Sequence, residues 1–371
     1  MIVFTQSELS TFRTCRKRWS FRYQDALSPR RRPRALSVGT IVHAGIAEAY
    51  RVLQKHTEQG CSRVAAARVC GESAMEGRIE AWRREVAAME PSDHESEDLE
   101  TEIALARVEA TSAFGLYADA FLASDADEYE VLAVEQSFDV QIGDGRARAK
   151  MVGKIDLVLR GRVSRVIWLG EHKSTKGDAS TLDSRVDVDG QVRAYLYALS
   201  VLYPDDAIGG VMLNVVRKQG PKQPKVNQKG DVSIAGCDTT RAVYVAALAE
   251  QEARGIPVTD KQRGFRDSLP ESTARWVTRS EHVLGARDVN QWVSEALADA
   301  RLMRATESAS DKRRLPITRN PASCTLPWAP PCAYRSVCVD DTAGRRKAEY
   351  VVGERYSELQ DETTTEPEGD E

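Results

Sequence analysis

No stretch of this 371-residue sequence approaches the ~18 consecutive apolar residues that a membrane span requires. The opening run Met1-Ile2-Val3-Phe4-Thr5-Gln6-Ser7 does not have the shape of a signal peptide, so the expectation is a cytoplasmic protein. A Gly-x-x-x-x-Gly-Lys-Ser/Thr phosphate loop is missing, and with it the usual signature of a helicase motor. No segment repeats. Histidine is scarce, at five residues, and His56, His94 and His282 carry no signal. Charge is nearly balanced, 52 basic against 56 acidic residues for a formal net charge of −4, which argues against wholesale polyanion binding. Seven cysteines in a cytoplasmic-looking chain argue against a disulfide framework and for metal ligands or free thiols.

What is present is unevenly distributed. Arg13, Arg16, Lys17, Arg18, Arg22, Arg30, Arg31, Arg32 and Arg34 crowd the amino terminus, and Arg217, Lys218, Lys222, Lys225 and Lys229 form a second basic stretch. Acid collects in residues 95–102 and in the tail over residues 361–371. Such segregation permits a local nucleic-acid surface on a mildly acidic protein. Trp19, Phe21 and Tyr23 interleave with Arg18 and Arg22, either to stack unpaired bases or to pack inside. Cys324, Cys332 and Cys338 cluster late, whereas Cys61, Cys70 and Cys237 have no comparable context and read as free thiols.

Periodicity predicts a helix from Ser7, as N-cap, to Tyr23, and a second opened by Thr40 after Gly39. Residues 64–123 are helical in pattern, broken at Pro91-Ser92-Asp93, and read as an insertion carrying little chemistry. Strands are expected over 130–134, 137–142, 147–160 and 166–171, then a helix over 191–203 and a strand over 210–216. Residues 239–254 and 288–308 look like helices of a second lobe. The pattern is that of an α/β core.

The chemistry concentrates in two apolar runs. Gly153-Lys154-Ile155-Asp156-Leu157-Val158-Leu159 offers an aspartate, and Val166-Ile167-Trp168-Leu169-Gly170-Glu171-His172-Lys173 ends in Glu-x-Lys. Side chains alternate along a strand, so Glu171 and Lys173 share a face while His172 points away and reads as structural. Two carboxylates beside an ammonium suit a hard divalent cation, Mg²⁺ or Mn²⁺, and an anion next to it. His43 could add a nitrogen ligand that favours manganese. That arrangement suits metal-assisted cleavage of a phosphodiester.

These residues, in the order Gly39-Thr40-Ile41-Val42-His43, Gly153-Lys154-Ile155-Asp156, Glu171-His172-Lys173 and Gln191-Val192-Arg193-Ala194-Tyr195, resemble the successive motifs of the RecB-like branch of the PD-(D/E)XK nuclease superfamily. The resemblance implies a restriction-endonuclease-like core, a mixed central sheet flanked by helices. It implies His43, Asp156 and Glu171 as metal ligands, Lys173 as the catalytic lysine, and Gln191 and Tyr195 as residues that support the site and contact DNA. Glu135 fits the family's strand before the aspartate. The third motif often reads Asp-x-Lys; Glu171 is within the pattern. Residues 7–23 also resemble the amino-terminal segment of family members with an iron–sulfur cluster, in which one early cysteine joins three late ones. Cys15 with Cys324, Cys332 and Cys338 matches that split and implies a 4Fe-4S cluster. Relatives commonly space the first two late cysteines as Cys-x-x-Cys, so zinc on the same four thiolates stays open.

The expected organisation is an amino-terminal segment over 1–35 with the first cluster cysteine, and a nuclease core over 36–235 with a helical insertion at about 60–125. A C-terminal helical region bearing the iron–sulfur site follows over 236–345, then a disordered acidic tail over 355–371. The implied activity is that of a metal-dependent DNA exonuclease on single-stranded ends, with Arg217 and Lys218 among the phosphate contacts and a helicase or recombination protein as partner. The alternative is a DNA-binding or assembly module with incidental or no nuclease activity.

Overall fold

The computed structural model describes residues 1–30, 34–55, 61–89, 91–144, 148–311, 316–325, 331–356 and 359. Arg31, Arg32, Pro33, His56, Gly145, the Pro-rich residues 326–330 and the acidic tail from 360 onward fall outside them. The strands are β1 (Ile2–Phe4), β2 (Leu27–Pro29), β3 (Tyr129–Ile142), β4 (Ala149–Gly161), β5 (Ile167–Thr175), β6 (Ile208–Arg217), β7 (Val277–His282) and β8 (Tyr350–Val352). The helices are α1 (Gln6–Thr14), α2 (Arg16–Trp19), α3 (Arg34–Lys55), α4 (Cys61–Ala87), α5 (Asp93–Tyr117) and α6 (Ala123–Glu128). They continue with α7 (Gly190–Leu202), α8 (Arg241–Ala253), α9 (Asp260–Ser268), α10 (Ala286–Asp311), α11 (Arg335–Val339) and α12 (Ala343–Glu349). No helix among the described residues is long and apolar enough to cross a membrane.

A mixed sheet runs β1-β4-β5-β6-β7, with β3 antiparallel along β4. Its decisive feature is a split. β5 pairs with β4 only over Ile167–Gly170 against Leu157–Arg160, then parts from it while staying parallel to β6 through Thr175. β1 pairs in parallel with the other end of β4, at Ala149–Met151. Asp156 and Glu171, the residues just past the last β4–β5 pair, Leu157 with Gly170, therefore stand at the opening.

Apolar residues cover both faces. Phe4, Leu9, Met151, Ile155, Leu199 and Trp292 belong to one core, under α1, α7 and α10. Ile41, Tyr50, Phe114, Tyr117, Leu157 and Leu159 belong to the other, under α3, α4 and α5. Along β4 the sides switch between Ile155 and Leu157, so the break in alternation falls at Asp156. A strand with unbroken period two would keep all its odd-numbered side chains on one face. Glu135, between the β3 partners of Leu157 and Ile155, has φ +52, a left-handed conformation that is costly for a residue with a Cβ.

Several expected boundaries move. Thr5, not Ser7, caps α1: it is extended, and its hydroxyl accepts from the Glu8 amide at 3.0 Å. The helix expected to reach Tyr23 breaks at Cys15, whose φ of −163° and ψ of 114° are extended. The helix of His43 begins at Arg34, so Gly39 lies inside it rather than before it. A Cβ on Gly39 would sit 3.3 Å from Ser174 Oγ, so its absence lets α3 approach the end of β5. The two short strands expected before Gly143 are one, β3, since Glu135 bends the ladder without ending it.

The sheet also crosses the expected boundaries at 35 and 235: β1 enters from the amino-terminal segment and β7 from the carboxyl-terminal region. α10 packs on α1 and α7 in the main core, while α8 and α9 enclose a small core of their own around Tyr244 and Val258. α4 and α5 lie directly against α3, so the expected insertion covers one face of the sheet. The two ends of the chain are tied together without a metal. β2 pairs with β8, and the buried Glu8 carboxylate accepts from Trp19 Nε1 at 2.9 Å, Arg355 Nη2 at 2.6 Å and Tyr356 Oη at 2.6 Å.

Candidate active site

Each site residue is held by the element that the local sequence builds. Asp156 sits at the face switch of β4, Glu171 and Lys173 on the part of β5 that has left β4, and His43 one turn past Gly39 on α3. The His172 amide, no longer engaged by β4, donates to Asp156 Oδ2 at 3.2 Å. His43 Nδ1 lies 3.7 Å from the same oxygen, and the His43 ring also hydrogen-bonds to the His172 backbone. Lys173 Nζ lies 2.5 Å from Glu171 Oε1 and donates to Gln191 Oε1 at 2.9 Å. Gln191 in turn meets Tyr195, one turn along α7, whose ring packs edge-on against Phe138 at 5.6 Å. Asp189 caps α7 by accepting from the Gln191 amide at 2.7 Å. Gly190 leaves no room for a Cβ against Gln6, which would be 2.5 Å away, so α1 closes directly on the start of α7.

The residues able to hold a metal differ from the expected trio in one member. Ligand atoms of His43, Glu135 and Asp156 lie within 4.8 Å of one another. Glu171 stands beside this group, 1 % exposed; Lys173 engages its Oε1, and its buried Oε2 has no hydrogen-bond partner. A buried carboxylate oxygen without a donor, as Oε2 is, is the kind of atom that a bound cation satisfies. Imidazole plus carboxylate donors fit Mg²⁺ or Mn²⁺. Glu135 also pairs with Lys154 at 2.7 Å, a partner that a cation would have to compete with. No sequence period singles out Glu135 as a ligand, because its position depends on a positive φ.

Electrostatics follow from crowding. Burial, reinforced by Glu135, pushes Asp156 up to about 7, and burial with Asp156 nearby pushes Glu171 up to about 7 against the opposing pull of Lys173. Burial lowers His43 despite Glu171 and Glu135, leaving the neutral imidazole that a metal needs. For Lys173 burial works against the charge, but Glu171 and Asp156 outweigh it and hold the amine above its ordinary range.

Stability should follow these shifts. Both carboxyls have folded pKa values above their unfolded ones, so in the metal-free protein their contribution is fully present below about pH 4 and is lost as pH rises toward 7. A divalent cation competes with those protons, so the rise in melting temperature at fixed Mn²⁺ should be small at pH 5.5 and clearly larger at pH 8. Equal shifts at both pH values in a fluorimetric melt would exclude these carboxyls as the ligands.

Behind the site runs a buried polar row. His172, Asn214 and Arg279 occupy matched positions on β5, β6 and β7. Asn214 Nδ2 lies 3.4 Å from His172 Nδ1, and Arg279 Nε donates to Asn214 Oδ1 at 2.6 Å. Arg279 grips Asp125 with both terminal nitrogens, at 2.5 and 2.8 Å, and Tyr50 donates its hydroxyl to the same carboxylate. The Tyr50 ring stacks on His172 at 6.2 Å, and His43 meets His172 edge-on at 6.0 Å. His172 thus faces away from Glu171 and supports His43 from behind. Sequence reasoning missed Asp125, Asn214 and Arg279, which lie far apart along the chain.

The predicted DNA contacts Arg217 and Lys218 are not presented to a ligand. Arg217 pairs with Asp238 at 2.8 Å and lies over Trp276, and Lys218 is 7 % exposed, its pKa lowered by burial and by Lys176. The strand end turns both inward; Lys222, Lys225 and Lys229 are the exposed cations of that loop. Trp19, Phe21 and Tyr23 are buried, which removes the base-stacking alternative.

Cys15, Cys324 and Cys338 lie near one another, although among the described residues no three of the cysteine sulfurs come within 4.8 Å of each other. Cys15 Sγ accepts from the Asn320 amide at 3.4 Å, and the Cys332 amide donates to the Cys324 carbonyl at 3.0 Å. Burial raises the Cys338 thiol, Arg319 opposes, and nearby Cys15 and Cys324 raise it further. Cys332 and Cys338 pack on Phe21 and Tyr334.

No curated protein matches the chain. The family model of the PD-(D/E)XK nuclease superfamily matches residues 3–339, from within β1 to one residue past Cys338, and so includes the split sheet and every residue of the site. The chain belongs to the PD-(D/E)XK nuclease superfamily.

Proposed function

We propose that the protein is a metal-dependent DNA exonuclease that hydrolyses phosphodiester bonds from single-stranded ends. The observation that carries this reading is the meeting of the protonated Lys173 with Asp156, Glu171, Glu135 and His43 where β4 and β5 part. A divalent cation bound there supplies charge neutralisation at the phosphate and lowers the pKa of an attacking water. His43, Glu135, Asp156 and Glu171 would hold it. Lys173, kept charged, is an electrostatic partner for the phosphate rather than a proton acceptor. Gln191 fixes the ammonium, and Tyr195 fixes Gln191. The preference for single-stranded ends rests on the RecB-like motif order; an unwound end would come from a helicase or recombination partner.

The test uses 5′- and 3′-labelled single- and double-stranded DNA and a circular single strand, with Mg²⁺, Mn²⁺ or EDTA. Metal-dependent release of short products from linear single strands, with the circle intact, is expected. Cutting of the circle would overturn the exonuclease mode, and no degradation of any substrate would overturn the nuclease reading.

We further infer that Cys15, Cys324, Cys332 and Cys338 bind a 4Fe-4S cluster, with zinc as the competing occupant. Protein purified without oxygen should carry about four iron and four sulfide per chain. The Cys15→Ser variant should lose iron yet keep part of its fold, because Glu8 and the β2–β8 pairing still join the chain ends. Stoichiometric zinc without iron or sulfide would overturn the cluster.

A further inference from the structure

A cavity of about 620 Å³ opens between the amino end of β1, the start of β4 and the outer face of α10, lined by Met1, Ile2, Arg148, Arg301, Arg304, Ala305 and Ser308. Three guanidinium groups border it and no acid does. Arg301 and Arg304 are three residues apart on α10 and so share one face. Arg148 precedes Ala149, which pairs with Ile2, and this brings it to the same opening. Among the described residues, none of the three has an ion pair or hydrogen bond.

Several other arginines are neutralised by acids. Arg13 is taken by Asp299, Arg160 by Asp206, Arg279 by Asp125 and Arg346 by Asp341. The adjoining cavity of about 340 Å³ shows the contrast: it also contains Arg304, but there Arg355 is neutralised by Glu8 and Glu307. Leaving three guanidinium groups without acids in one concave place concentrates positive potential on a chain that is acidic overall. Guanidinium forks match phosphate oxygens in geometry and charge.

The place of the cavity says which phosphate. Arg148 immediately precedes β4 and stands eight residues before Asp156, which lies on that strand. At ~3.3 Å per residue the two are about 26 Å apart. A strand advances ~3.4 Å per nucleotide when stacked and about twice that when extended, so the span is about four to eight nucleotides. We propose that Arg148, Arg301 and Arg304 form a second phosphate-binding station that holds the DNA backbone about four to eight nucleotides from the bond being cut. This rests on the nuclease reading above and adds to it a footprint on the substrate.

The test measures binding of 20-nucleotide and 4-nucleotide single strands in EDTA over a salt series, for wild type, Arg148→Ala and the double variant Arg301→Ala/Arg304→Ala. Melting curves check that the variants, altered at exposed positions, are folded. The double variant should bind the 20-mer about tenfold more weakly, and its log–log salt slope should be shallower by about 1.4, two contacts at ~0.7 each. Cleavage of the 4-mer with Mn²⁺ should match wild type. Unchanged 20-mer affinity and slope would overturn the station. Equal losses for the two lengths would overturn its distance from the catalytic centre. Inorganic phosphate bound at these arginines without an effect on 20-mer affinity would make it a small-anion site instead and overturn the proposal. A wild type that binds the 20-mer but cleaves neither length would sink the nuclease reading separately.

Discussion

Replacing Lys173 by alanine should lower DNA hydrolysis by about 10²- to 10³-fold in kcat, the usual loss when one preorganised donor to a developing anion is removed. The lysine is a third exposed and belongs to no apolar core, so the melting temperature should change little. Glu171 would lose the largest charge opposing its high pKa, so metal binding should shift to higher pH in the variant. Lys173→Arg should not restore the rate, because a planar guanidinium cannot keep the single Gln191 contact and the Glu171 contact in the same place. The decisive measurement is single-turnover cleavage with saturating Mn²⁺. A variant that cuts as fast as wild type would remove Lys173 from the chemistry.

The largest effect on stability should come from Asp125→Ala. Asp125 is fully buried, and the substitution strips Arg279 of both its charge-assisted hydrogen bonds while the guanidinium stays inside the protein. Removing one partner of a buried ion pair costs about 3–5 kcal/mol. Tyr50 would lose its acceptor as well. Removing Arg279 too, as Asp125→Ala/Arg279→Met, should cost less than the two single changes added together, since no charge is then stranded. Urea denaturation gives all three values. A cost below about 1 kcal/mol for Asp125→Ala would mean that water reaches the guanidinium and that the row is not the dry support described above. The same variant should weaken metal binding, because Arg279, Asn214 and His172 form the surface on which His43 rests.

How far the site was legible depends on how local each signal is. Asp156, Glu171 and Lys173 follow from two apolar strand patterns, and His43 from a short run after Gly39; each needs only its own neighbours in sequence. Glu135 is different. Its approach to Asp156 and His43 requires a left-handed backbone at a residue that no turn signal marks. Arg217 and Lys218 misled because a basic run after a strand reads as surface, whereas Asp238 and Trp276, contributed by later segments, bury the first, and the second turns inward.

Architecture divides in the same way. The long helices and the strands around Asp156 and Glu171 were legible from periodicity. β1 is three residues long and β7 reads Val-Thr-Arg-Ser-Glu-His, too short or too polar for alternation to register. Both become strands because β4 and β6 offer them an unpaired edge. β7 and α10 thus join the region expected as a second lobe to the main sheet and core, while α8 and α9 keep a small core of their own.

The sequence by itself picked out the candidate groups: Asp156, Glu171, Lys173 and His43, and the four cysteines of the proposed metal centre. Those depend on residue type and short spacing. Tertiary structure alone decided that β5 leaves β4 just after Gly170, that Glu135 joins the carboxylates, that Asp125 and Arg279 brace the site, and that Arg148, Arg301 and Arg304 share one cavity. Each of these joins residues from separate segments, and hydrophobic burial on the two faces of one sheet is what brings those segments together.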